Sequence, residues 1–138
     1  MKKFEILEHT ADVALRIYGK NLNELFVNAA SGLMSFIIDE KEVTAKEKVV
    51  IKLREDNVEE LLVSWLNELI FNFSAKYFLS KKFKILHIDD LGLEAEVSGE
   101  KFDAGKHKII SEIKAATYHE LEVAKIKKGW QAKVILDT

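Results

Sequence analysis

Residues 57–73 read NVEELLVSWLNELIFNF, and the contrast between this stretch and everything after Tyr77 decides the fold class. Leu61, Leu62, Trp65, Leu66, Leu69, Ile70 and Phe73 recur at three- and four-residue spacing, which puts them on one stripe of an α-helix. Asn57 followed three residues later by Glu60 has the order of a capping box, in which the Asn side chain accepts a first-turn N–H and the Glu reaches back. After Tyr77 the apolar period becomes two. Phe83–Ile88, Leu91–Val97, Glu112–Lys125 and Trp130–Leu136 all read as strands, with turns expected at Asp90, Gly99, Gly105 and Gly129.

Upstream of the helix the same two periods alternate. Ala11 to Tyr18 places Val13, Leu15 and Ile17 on one side and Asp12, Ala14 and Arg16 on the other, and Gly19 closes this strand. Asn21-Leu22-Asn23-Glu24 repeats the capping order, and Leu22, Leu25, Phe26, Ala29, Ala30, Leu33, Met34 and Ile37 continue it as a helix. A further strand is expected at Val49, Ile51 and Leu53. Strand, helix, strand, helix and then a run of strands predicts an α+β fold, two amphipathic helices packed on a mainly antiparallel β-sheet. No Pro- or Gly/Ser-rich tract, low-complexity run or internal repeat divides the sequence, so one domain over residues 1–138 is expected.

Composition narrows the chemistry. The chain of 138 residues is 48% apolar and 32% charged, the balance of a globular protein rather than a disordered one. Its net charge of −2 leaves no global basic excess, so any RNA contact must use a local basic patch or a partner. With no cysteine, disulfides, thiolate metal sites, iron–sulfur clusters and cysteine nucleophiles are all excluded. Glu5 and Glu8 interrupt the N-terminal residues, and the longest apolar stretch, Leu61 to Phe73, is broken by polar residues and too short to span a bilayer. A cytoplasmic location without membrane association is expected.

Two acidic positions stand out. Asp12 opens a strand and Asp137 ends the last one, followed by Thr138. Were the fold to bring them together, the two side chains and the terminal carboxylate of Thr138 would offer hard oxygen donors of the kind that hold Mg²⁺, Mn²⁺ or Ca²⁺. Each has an ordinary alternative, since an Asp before a strand commonly serves as a turn acceptor and terminal acids are commonly solvated. Other templates fail. His9, His87, His107 and His119 lack the helical spacing of a zinc pair, and no nucleotide-binding glycine loop or nucleophile elbow occurs. His87 falls at an alternating strand position and reads as a half-buried packing residue. Trp65 and Trp130 read as core. Lys81-Lys82 and Lys125 to Lys128 read as turn charges, the second group also as part of a weak phosphate patch.

The strings Glu8-His9-Thr10-Ala11-Asp12, Leu61-Leu62-Val63-Ser64-Trp65-Leu66-Asn67-Glu68-Leu69, and Glu112-Ile113-Lys114-Ala115-Ala116-Thr117-Tyr118-His119, with Gly99-Glu100, Gly129-Trp130 and Asp137, resemble the archease family across essentially the whole chain. The resemblance implies a small α+β accessory protein, not itself an enzyme. Its partner would be the tRNA-splicing RNA ligase, which joins 2′,3′-cyclic phosphate or 3′-phosphate ends to 5′-hydroxyl ends. The accessory protein would promote the ligase's guanylylation by GTP and its repeated turnover. The resemblance also implies a divalent metal held by Asp12, Asp137 and Thr138, its identity open between Ca, Mg and Mn. Lys114 maps onto a functionally sensitive lysine, and His9, inside the first motif, is the other candidate for ligase activation. The second reading is a chaperone-like modulator of another RNA-processing enzyme such as a tRNA methyltransferase, with tRNA engaged indirectly.

Overall fold

The computed structural model describes residues 2–8 and 12–138. Its elements, in chain order, are β1 (Phe4–Glu8), β2 (Asp12–Gly19), α1 (Leu22–Ile37), a 3₁₀ turn (Glu40–Glu42), β3 (Glu47–Arg54), α2 (Val58–Lys76), β4 (Phe78–Ile88), β5 (Gly92–Lys101), β6 (Ala115–Ala116), β7 (Glu122–Ile126) and β8 (Gly129–Asp137). The α+β class stands, and every strand pair is antiparallel.

The strands form two sheets rather than one. The first runs β1-β2-β8-β6, with β7 also on β8, and the second runs β3-β5-β4. Helix α1 touches β1, β2 and β8 of the first sheet and β4 of the second, while α2 touches β6 and β7 on one side and β3, β4 and β5 on the other. The helices therefore form a layer between two sheets. This is why the apolar residues of α1 spread beyond a single stripe: Leu25, Phe26, Ala29, Ala30, Leu33 and Ile37 are all sealed from solvent. Trp65 sits at the centre of this layer, its indole N–H donating to the Phe26 carbonyl at 2.9 Å and its ring meeting Phe83 edge-on.

Both helix starts follow the expected cap with one change. Asn21 Oδ1 accepts the Glu24 N–H and Asn57 Oδ1 accepts the Glu60 N–H, each at 2.8 Å. The glutamates, however, accept from the residue before the cap, Lys20 and Asp56, at 3.4 Å. At the C-terminus of α2, Tyr77 takes a left-handed conformation (φ 58°) and closes the last turn by donating to Phe73.

Three strand expectations are corrected. Glu112–Lys125 is not one strand: only Ala115–Ala116 and Glu122–Ile126 pair, separated by a turn in which Glu120 has φ 50°. Gly99 is not a turn but lies inside β5, where the Leu79 carbonyl approaches so closely that any Cβ would overlap it. Lys81 and Lys82 lie within β4, not in a turn. Strand β1 was not expected at all.

Between β5 and β6 the chain crosses from the second sheet to the first without regular structure, and polar contacts fix it. Glu100, buried, accepts from the Thr44 N–H (2.7 Å), Lys106 Nζ (2.7 Å) and His107 Nε2 (2.9 Å). The bond to Lys106, followed by that to the Thr44 amide, holds the Glu100 carboxyl at a pKa of about 2, against the opposing effect of burial. His107 Nδ1 accepts the Asp103 N–H at 2.9 Å, so its proton sits on Nε2 and the ring is the neutral tautomer, stacked on Phe102. Further along, Lys108 N–H donates to Glu42 and Ile110 N–H to the Ile37 carbonyl.

Candidate metal centre

The register of β2 on β8 sets Asp12 directly opposite Asp137. Leu15 and Ile17 on β2 and Val134 and Leu136 on β8 belong to the core, so alternation turns Asp12 and Asp137 together onto the other face of the sheet. Directly opposed side chains in an antiparallel pair have Cβ atoms about 4.5–5.5 Å apart, and like charges in such a pair repel. Asp12 is half-buried, while Asp137 and Thr138 are exposed. Neither aspartate side chain makes a hydrogen bond or ion pair with a described residue.

The next charged row on this face shows how such repulsion is normally avoided. Glu5, Arg16, Lys133 and Glu122 line up across β1, β2, β8 and β7, so each cation has an acid beside it. Between the two rows, Leu7, Ala14 and Ile135 form an apolar strip, with Ala14 and Ile135 buried. The Arg16 row is four residues along the strand, roughly 13 Å away, beyond the Debye length of about 8 Å at physiological salt. Among the described residues, the Asp12–Asp137 pair thus has no cation paired with it.

Strand β6 completes the neighbourhood. Ala115 pairs with Asp137, and the Lys114 N–H donates to the Asp137 carbonyl at 2.8 Å, fixing the end of β8 from its second side. What holds β6 there is Asn67 of α2, whose side chain makes two bonds to one residue. Asn67 Oδ1 accepts the Ala116 N–H at 2.8 Å and Asn67 Nδ2 donates to the Ala116 carbonyl at 3.1 Å. Sequence reading passed over Asn67 as one of the polar breaks in the α2 stripe. The usable signal was an amide inside an otherwise buried helical face, where an unpaired polar group is costly.

Lys114 itself does not join the two acids. Its ammonium makes no ion pair with a described residue, and its side chain lines a cavity of about 420 Å³ with Phe73, Ser74, Tyr77 and Glu112. His9 lies outside the described residues. His87 is exposed rather than half-buried, and its Nε2 lies 3.3 Å from Asp89. A bulge between Ile85 and His87 shifts the strand phase and turns the ring outward. His119 is also exposed, 3.7 Å from Glu120.

The donor set fits a hard divalent cation. Two carboxylates face one another with no cation paired to them among the described residues, and Thr138, next in the chain to Asp137, adds oxygen; among the described residues no three His, Asp or Glu side chains gather.

Residues 4–138 match the family described as Archease protein family (MTH1598/TM1083). This chain belongs to the archease family. It is 36% identical over 140 residues to the archease of Methanosarcina barkeri, covering 99% of this chain and 96% of that one. It is 41% identical over 125 residues to that of Sulfurisphaera tokodaii, covering 89% of each. The solution structure of Methanobacterium thermoautotrophicum protein 1598 superposes with a TM-score of 0.83 at 35% identity, over 100% of both chains. A Thermotoga maritima archease, described as a possible chaperone, shares the fold with a TM-score of 0.64 at 24% identity, over 96% of this chain and 94% of that one.

Proposed function

We propose that this archease is an accessory activator of the tRNA-splicing RNA ligase, promoting its guanylylation by GTP and its repeated turnover rather than catalysing a reaction itself. The observation that carries the reading is the opposition of Asp12 and Asp137 at the end of β2 and β8, with no ion-pair partner among the described residues. Family membership supports it. Asp12, Asp137 and Thr138 are the residues that would hold a divalent cation. When bound, that cation supplies positive charge able to steady phosphate oxygens.

The protein's own residues do the rest. The β2–β8 register fixes the two carboxylates relative to one another, and Asn67 through β6 holds the end of β8. Lys114, on the rim of its cavity beside Tyr77, offers a cation to an acidic or phosphate group of the partner. The test is a ligase turnover assay with GTP and broken tRNA halves, run with substoichiometric accessory protein. Asp12→Ala and Asp137→Ala should each abolish stimulation; stimulation at wild-type level by both variants would sink the proposal. The chaperone-like reading, favoured by the description of the Thermotoga maritima neighbour, predicts instead that a tRNA methyltransferase and not the ligase is retained by the immobilised protein.

A further inference from the structure

The outward face of the second sheet is a lattice of cations. Register aligns Lys48–Ser98–Lys82 in one row, Val50–Glu96–Lys84 in the next, then Lys52–Glu94–His87, with Arg54 opposite Gly92 at the end. Ile51, Ala95 and Val97 of the same strands are buried, which fixes the opposite, charged set as the solvent side, and Lys48, Lys52, Arg54, Lys82 and Lys84 are all exposed. Five cations face two carboxylates, Glu94 and Glu96, in a protein whose net charge is −2. None of the five makes an ion pair with a described residue. Asp89 at the rim is turned into its own loop, accepting from the Leu91 and Gly92 N–H groups and lying beside His87.

Side-chain chemistry selects the partner. Lysine is depleted from the cores of protein–protein interfaces, which favour aromatic residues, and this face carries four lysines and no Phe, Tyr or Trp. Its one ring is that of His87 at the rim, beside Asp89, in place of the clustered aromatic residues that stack successive bases in sheet-type RNA readers, so it offers phosphate contacts rather than sequence readout. Cations two residues apart on a strand repeat about every 6.7 Å, and β3 and β4 lie about 10 Å apart across β5. We propose that this face binds the phosphate backbone of single-stranded RNA without sequence preference. The choice of RNA rests on the proposed role beside an RNA ligase; the surface itself requires neither the carboxylate pair nor the ligase.

The experiment measures binding of the isolated protein to a fluorescent single-stranded RNA by anisotropy across a salt series. Each phosphate contact to a single strand contributes about −0.7 to the slope of log K against log salt. The double variant Lys82→Gln/Lys84→Gln should therefore flatten the slope by about 1.4 and weaken binding about 25-fold at 0.1 M salt relative to 1 M. Lys20→Gln/Lys41→Gln, the same charge change at exposed positions outside the second sheet, should leave both nearly unchanged. Equal weakening by the two double variants, preference for poly-glutamate over RNA, or no salt-dependent RNA binding by the wild type would each overturn the inference. All of these are read without ligase, so their failure leaves the stimulation assay to judge the accessory role separately.

Discussion

Asp137→Asn separates the two consequences of placing Asp12 and Asp137 opposite each other, because it removes one charge while keeping the shape. Two unit charges about 5 Å apart in a water-like dielectric repel by about 0.8 kcal/mol, and the half-buried position of Asp12 pushes this towards 1 kcal/mol. In EDTA the variant should therefore be more stable than wild type, melting about 3 °C higher for a domain of this size. Adding 1 M NaCl should shrink that advantage. With divalent cation at a hundred times its Kd, wild type gains about 2.7 kcal/mol by linkage, several degrees of Tm, whereas the variant gains little. The order of the two melting temperatures then reverses. The assay is thermal unfolding followed by circular dichroism, in EDTA and in Ca²⁺, Mg²⁺ and Mn²⁺ titrated separately. If Asp137→Asn melts below wild type in EDTA and both respond equally to all three cations, the opposed-carboxylate reasoning is wrong.

Further outcomes can be checked in the same way. Asn67→Leu removes both bonds to Ala116 and should cost about 2 kcal/mol in urea unfolding; it should also weaken the cation response without touching either aspartate. Gly99→Ala forces a methyl against the Leu79 carbonyl and should destabilise by about 1–3 kcal/mol, lowering the denaturant midpoint at unchanged slope. Glu100 has a folded pKa near 2 against an ordinary 4.5, so its contribution is fully present above pH 4.5 and is lost as pH falls towards 2. Glu5 and Asp89 are depressed in the same direction. Glu100→Gln should therefore lower Tm at pH 7 and flatten the Tm profile between pH 4.5 and 2, and a profile parallel to wild type would contradict the burial of a working carboxylate there.

The helices were legible because their apolar spacing and Asn caps act locally, within a few residues of each other. Strand existence was legible for the same reason, but pairing was not: alternation says which residues share a face, not which strand lies beside them. Hence β2 and β8 were both expected as strands, while their pairing with each other and the division into two sheets were not. His87 was misplaced because a bulge, which leaves no mark in the apolar pattern, shifts the phase at Ile85. The strand break at Glu120 was missed because no glycine or proline marks it. Strand β1 escaped because Ile6 and Leu7 are consecutive apolar residues and blur its period. Asp12 and Asp137 were singled out by residue type, and their facing positions could come only from the tertiary register.

The pairing of β2 with β8 carries a kinetic implication. Apart from β1, everything else in the fold, both helices and the whole second sheet, lies in the chain between these two strands. Pairings so distant in sequence have the largest loop-closure penalty and form late. The two aspartates therefore meet only in molecules that have already assembled the intervening layers. Whatever docks on that acidic end would discriminate finished protein from partly folded chains before any partner enzyme is engaged.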